Sequence, residues 1–235
     1  MDLPFTLRLD DEGLVLAVAG GKGASLGVLA RAGFPVPAAF VVTTHAYHRF
    51  ITSREIQRWA ARAAADAATD DSASLDDVSS AIRMRFADAT MPVEISEAIE
   101  AAYHALGASR VAVRSSATTE DLPELSFAGQ HETFLDVAGR AAVLDAVVRC
   151  WSSLWTARAI AYRNRAGVAH GDARLAVVVQ QMVESDASGV LFTANPLTGK
   201  RISLRDIGDK LAAAGYAAKN GKPYSPSVIK RMIEA

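Results

Sequence analysis

Three kinds of hydrophobic spacing alternate along this chain, and each predicts a different element. Apolar residues from Ala24 to Ala32 recur at helical spacing behind Gly20, Gly21 and Gly23, and Gly33 supplies a stop, so a short helix is predicted there. Pro35 and Pro37 break the pattern. The continuous run Ala39 to Thr43 then reads as a buried strand, with Thr43 or Thr44 placed to cap a helix through Phe50. From Glu55 to about Leu106 the chain is alanine-rich and predicts packing helices, interrupted near residues 69–72 and at Met91-Pro92. Arg110 to Arg114 predicts a strand and Gln130 to Val137 a second. Val143, Val147, Trp151, Leu154 and Trp155 recur every three or four residues, which predicts one helix from Arg140 to about Ala166 with both tryptophans in the core. Leu175 to Val183 is a β-branched strand, and residues 188–193 suit its hairpin partner.

Composition narrows the class. Half of the 235 residues are apolar, enough to bury one large or two small cores. The chain holds no apolar run of membrane-spanning length, and its first twenty residues lack the basic start and cleavage pattern of a secretory leader; a cytoplasmic protein without membrane contact is expected. The single cysteine, Cys150, has no partner for an internal disulfide and reads as a core thiol. Charge is unevenly spread: residues 1–199 carry 17 Lys and Arg against 23 Asp and Glu, whereas residues 200–235 carry 8 against 3. That break predicts two segments of different task, 1–199 and 200–235.

The candidate chemistry is anion binding. A short apolar run delivers Arg114 to a strand end, followed by the hydroxyls of Ser115 and Ser116 and a small-residue turn at Gly129. A planar guanidinium fork and close backbone N–H groups both suit phosphate oxygens. Lys22, between Gly21 and Gly23 at a predicted helix start, offers a second cation where the helix dipole also favours phosphate. Gln180, ending an apolar strand, has amide groups able to read an adenine edge. The scattered acids between Asp66 and Asp77 read as a solvated turn, and the five histidines lack metal-ligand spacing.

Residues 20–27, Phe34-Pro35-Val36-Pro37 with residues 40–44, residues 114–123, residues 126–130 with 132–135, and residues 180–183 with 188–193 together resemble one family. It is that of pyruvate phosphate dikinase, phosphoenolpyruvate synthase and rifampicin phosphotransferase. The resemblance implies an α+β fold, an ATP-grasp-like nucleotide domain. It implies ATP as ligand, with Lys22 and Arg114 at the phosphates, Gly129 and Thr133 in the nucleotide loop and Gln180 at the adenine. Complete relatives pass a phosphoryl group through a phosphohistidine domain to pyruvate or an antibiotic hydroxyl. Past residue 201 the chain departs from the pattern, so the half that supplies magnesium ligands in relatives is not expected here, and no catalytic residue is assigned. Phosphoryl transfer rests on positioning and on metal neutralisation of charge, so binding is expected to outlast catalysis, with a separately encoded remainder as a candidate partner.

Residues 200–235 predict a small α-helical tail, two short helices about a basic turn, which resembles the helical segment following the catalytic domain of large serine recombinases. Only weak, salt-sensitive contact with nucleic acid is expected of so short a basic stripe. Three readings follow: an ATP-binding domain of a dikinase-type phosphotransferase, catalytically incomplete alone; a non-catalytic binding or regulatory fragment; or a fusion with weak DNA binding.

Overall fold

The structure, a computed structural model, describes residues 4–53, 55–67, 72–118, 132–185, 203–218 and 221–229. The chain divides into two units, one of residues 1–32 and 36–183 and a second of residues 33–35 and 184–235.

The first unit is built on a sheet of β1 (Thr6–Arg8), β2 (Ala39–Val42), β3 (Val111–Ala117), β4 (Thr133–Val137) and β5 (Leu175–Gln181), in the order β1-β2-β5-β3-β4. Every neighbouring pair is antiparallel, with Val41 opposite Val178, Val113 opposite Val179, and Arg114 opposite both Val178 and Thr133. Side chains on a strand alternate between faces. Here both faces of the central strands are covered, which is why β5 is apolar almost throughout rather than at every second position. Phe40, Val42, Val113, Val177 and Val179 face a large core holding Phe50, Phe86, Trp151 and Trp155. Val41, Ala176 and Val178 face a smaller one with Leu9, Leu14 and Ala19.

Helices α2 (Thr44–Ser53), α3 (Ile56–Asp66), α4 (Ser72–Asp88), α5 (Val93–Leu106), α6 (Arg140–Ser152) and α7 (Ala157–Ala166) supply the large core, and α1 (Leu16–Arg31) lies on the opposite face, against β5 and β3. Thr43 caps α2 through its hydroxyl, which accepts from the Ala46 N–H at 3.4 Å.

Two readings of the sequence are revised, and one strand is added. α1 starts at Leu16, ahead of the glycines, and is interrupted within by Gly20 at φ 67°, ψ 176°. The helix expected from Arg140 to Ala166 is two helices. After a 3-10 turn, Ser153–Trp155, the chain is extended at Thr156, whose hydroxyl accepts from the Ala159 N–H at 3.3 Å and so caps α7. The three-residue edge strand β1 carries no pattern of its own and forms by pairing with β2. The hairpin partner at 188–193 and the turn near residues 69–71 lie outside the described residues.

The second unit contains α8 (Leu204–Ala213), capped by Ser203, whose hydroxyl accepts from the Asp206 N–H at 3.1 Å. Gly208 faces the backbone carbonyl of Tyr224 so closely that a Cβ at that position has no room. Residues 226–229 form a further helical turn.

Candidate functional site

The glycine turn of α1 and the end of β3 are locked together by one serine. Ser116 is fully buried; its hydroxyl accepts from the Gly23 N–H at 3.1 Å and donates to the Ala19 carbonyl at 2.8 Å. The left-handed backbone of Gly20 brings it against the Ser116 carbonyl, where a Cβ would collide. Only glycine meets both conditions, the positive φ and the missing side chain. Ser116 thus serves as a cap supplied from another element, satisfying a donor at the start of the longer helical stretch. Lys22 sits inside that turn.

Alternation along β3 puts Arg114 on the same face as Ser116, hence on the face that α1 covers. Thr133 lies directly across from Arg114 on β4, and Gln180 lies on β5 opposite Ala112, a diagonal neighbour of Arg114 on that face. The structure therefore gathers Lys22, Arg114, Thr133 and Gln180 around one side of the sheet; Gly129 lies outside the described residues. Arg114 is half-buried, and among the described residues its guanidinium has no hydrogen-bond or ion-pair partner. A partly desolvated cation without a counter-charge is costly to keep, so such a position favours an anion.

Gln180 is less available than the sequence suggests. It is 8% exposed, and its side-chain N–H donates to the Pro37 carbonyl at 3.2 Å. The hydroxyls read as phosphate contacts are internal as well: Ser115 is buried and donates to the Glu132 carbonyl at 3.3 Å. What the sequence reading missed is that Ser116 fastens the turn, and the available signal was the glycine pair, which marks a backbone needing a close neighbour.

Glu132 connects this corner to the core. Its carbonyl accepts from the Ser115 N–H at 3.1 Å, and its carboxylate lies 3.4 Å from the Arg83 guanidinium. Cys150 lies beside it. Burial and the nearby Glu132 carboxylate push the thiol pKa well up, while Arg149 and Lys22 act weakly in the other direction. Cys150 is therefore a protonated core thiol. Among the described residues no three His, Cys, Asp or Glu side chains converge on a metal-binding point. No helix among the described residues is long and apolar enough to cross a membrane.

A mixed α+β domain with a cationic corner, formed where a glycine-broken helix is pinned to an arginine-bearing strand, is the class that fold and site define. Compared with known proteins, residues 16–206 match the family model described as the pyruvate phosphate dikinase AMP/ATP-binding domain, and the chain belongs to that family. It is 43% identical over 220 residues to the phosphoenolpyruvate synthase of Pyrococcus furiosus, covering 77% of this chain and 27% of that protein. Against the phosphoenolpyruvate synthase of Aeropyrum pernix it is 45% identical over 193 residues, covering 79% and 24%. Against the rifampicin phosphotransferase of Streptomyces sviceus it is 45% identical over 207 residues, covering 87% and 24%. The chain spans about a quarter of the length of these curated relatives.

Proposed function

We propose that residues 1–199 form a partial ATP-grasp-like domain that binds ATP, with Lys22 and Arg114 at the phosphates, Gly129 and Thr133 in the loop over them, and Gln180 beside the adenine. The observation that carries this reading is the Arg114 guanidinium, half-buried, unpaired among the described residues, and on the sheet face that holds the Lys22 turn. Two cations on one face suit a polyphosphate better than a single charge. Family membership supports ATP over other polyphosphates. In a complete phosphotransferase this domain supplies the phosphoryl donor; assayed alone, these 235 residues bind ATP and turn it over negligibly. Gln180 reaches the adenine through its carbonyl oxygen or after exchanging its bond to Pro37.

Calorimetric titration of the full chain with ATP tests the assignment. Arg114→Ala weakens binding by about tenfold or more, the loss appropriate to a charge-assisted contact in a partly dry site. Equal affinity of the wild type and this variant rejects the reading.

A further inference from the structure

Helices α4 and α6 do not close on each other along their whole length. Between them lies a cavity of about 650 Å³, within the size range of small-molecule sites. Its apolar lining includes Met84, Met91, Leu144 and Val148, and its charged lining is Arg83, Arg149 and Asp145. Apolar residues alone would describe an unfilled groove. The arginines make it directional.

Arg83 is the more telling of the two. Its Nε is buried and has no hydrogen-bond partner, and its only carboxylate neighbour among the described residues, Glu132, is reached by Nη2 at 3.4 Å. The Arg149 guanidinium carbon lies over the Phe134 ring, 4.1 Å from its centroid, and its carboxylate partner Asp145, which also lines the groove, is 3.7 Å away. Both ion pairs are long and partly exposed, so they contribute little, and both guanidiniums keep donors to spare. Thioether side chains are flexible and adapt to varied apolar shapes, so Met84 and Met91 set only a loose requirement on the rest of a ligand.

We propose that this groove is a binding site for a small amphipathic carboxylate. The carboxylate docks on the Arg83 Nη donors in place of Glu132, and the hydrocarbon part lies along Met84, Met91, Leu144 and Val148. The site is separate from the nucleotide corner and does not rest on that reading. Glu132 is the link between them, because it begins the segment leading into β4 and Thr133.

The test uses the full chain labelled at its methionine methyl groups, five in all, titrated with octanoate below its micellar concentration. Two of the signals, those of Met84 and Met91, shift saturably, and Met84→Leu and Met91→Leu identify them. Arg83→Gln weakens binding about tenfold, the loss of a charge-assisted pair. Ala87→Trp, at an exposed position on the groove wall, blocks it while leaving the other methyl signals in place. Glu132→Gln, which removes the competing carboxylate, tightens binding about twofold to fivefold. Equal shifts with octylammonium, full displacement of octanoate by equimolar inorganic phosphate, or an unchanged affinity in Arg83→Gln each overturn the proposal.

Discussion

His170 illustrates how a single buried residue can set a condition on folding without belonging to any site. It is 7% exposed, stacked on Trp155 at 5.9 Å, and its Nδ1 accepts from Arg163 Nε at 2.9 Å. That bond fixes the neutral tautomer, so Nε2 carries the proton and donates to the Asn164 side-chain oxygen at 2.7 Å. Burial first, and then the Arg163 charge, lower the His170 pKa to about 4, while burial brings Arg163 itself down to about 10. Tyr47, bonded to Trp155, is raised by burial to about 12 and stays neutral beside them. A histidine whose folded-state pKa lies below its ordinary value takes its proton first in the unfolded chain. Its contribution to stability is therefore complete above about pH 6.5 and is lost as pH falls toward 4, a change of about 1–3 kcal/mol. Urea midpoints measured from pH 7 to pH 4.5 fall in the wild type. In His170→Asn, which is less stable at pH 7, that part of the slope is missing, and an identical slope in both proteins contradicts the account. None of this was readable beforehand: His170 lies seven residues from Arg163 and far from Trp155 and Tyr47 in sequence, and only folding brings them together.

At the scale of elements, the decisive contact is between α1 and β3. A helix with Gly20, Gly21, Gly23 and Gly27 in one stretch is intrinsically weak, by about 1 kcal/mol per glycine relative to alanine. Its position is secured by packing on Val41 and Val178 and by the Ser116 hydroxyl. Gly20→Ala forces a side chain into the Ser116 carbonyl in a left-handed conformation, and we expect a loss of about 2 kcal/mol or more by chemical denaturation. Because the same turn carries Lys22, the proposed nucleotide assignment predicts that this variant also loses ATP affinity; a variant that binds normally and is fully stable would show that the turn is not held as described. The helices and strands were largely legible here. The run Ala39–Val42, the β-branched Leu175–Gln181 and the break at Met91-Pro92 each follow from local chemistry. The stop at Thr156 was obscured because Val147, Trp151 and Trp155 continue a helical spacing across the 3-10 turn. The kink at Gly20 was obscured too, since a glycine at a helix start and one at a break have the same local signature.

Across the whole molecule, the second of the two compact units contains the basic stretch of residues 200–235. The basic excess of residues 200–235, with Arg205 and Lys210 exposed, leads us to expect at most weak nucleic-acid contact by that segment. Mobility-shift titrations with duplex DNA should show binding in low salt that disappears near physiological ionic strength; affinity retained at high salt, or preference for one sequence, would contradict this. The sequence by itself determined the class of elements, the buried strands and the family, because these depend on local periodicity and on motifs that remain in order along the chain. It also named the cationic residues of the proposed site. Tertiary structure alone decided which of them share a face, since the pairing of Arg114 with Thr133 and Val178 is a matter of strand register. It alone turned Ser116 into a pin and Arg83 into an unsatisfied donor, because hydrogen-bond partners separated by tens of residues leave no trace in local pattern.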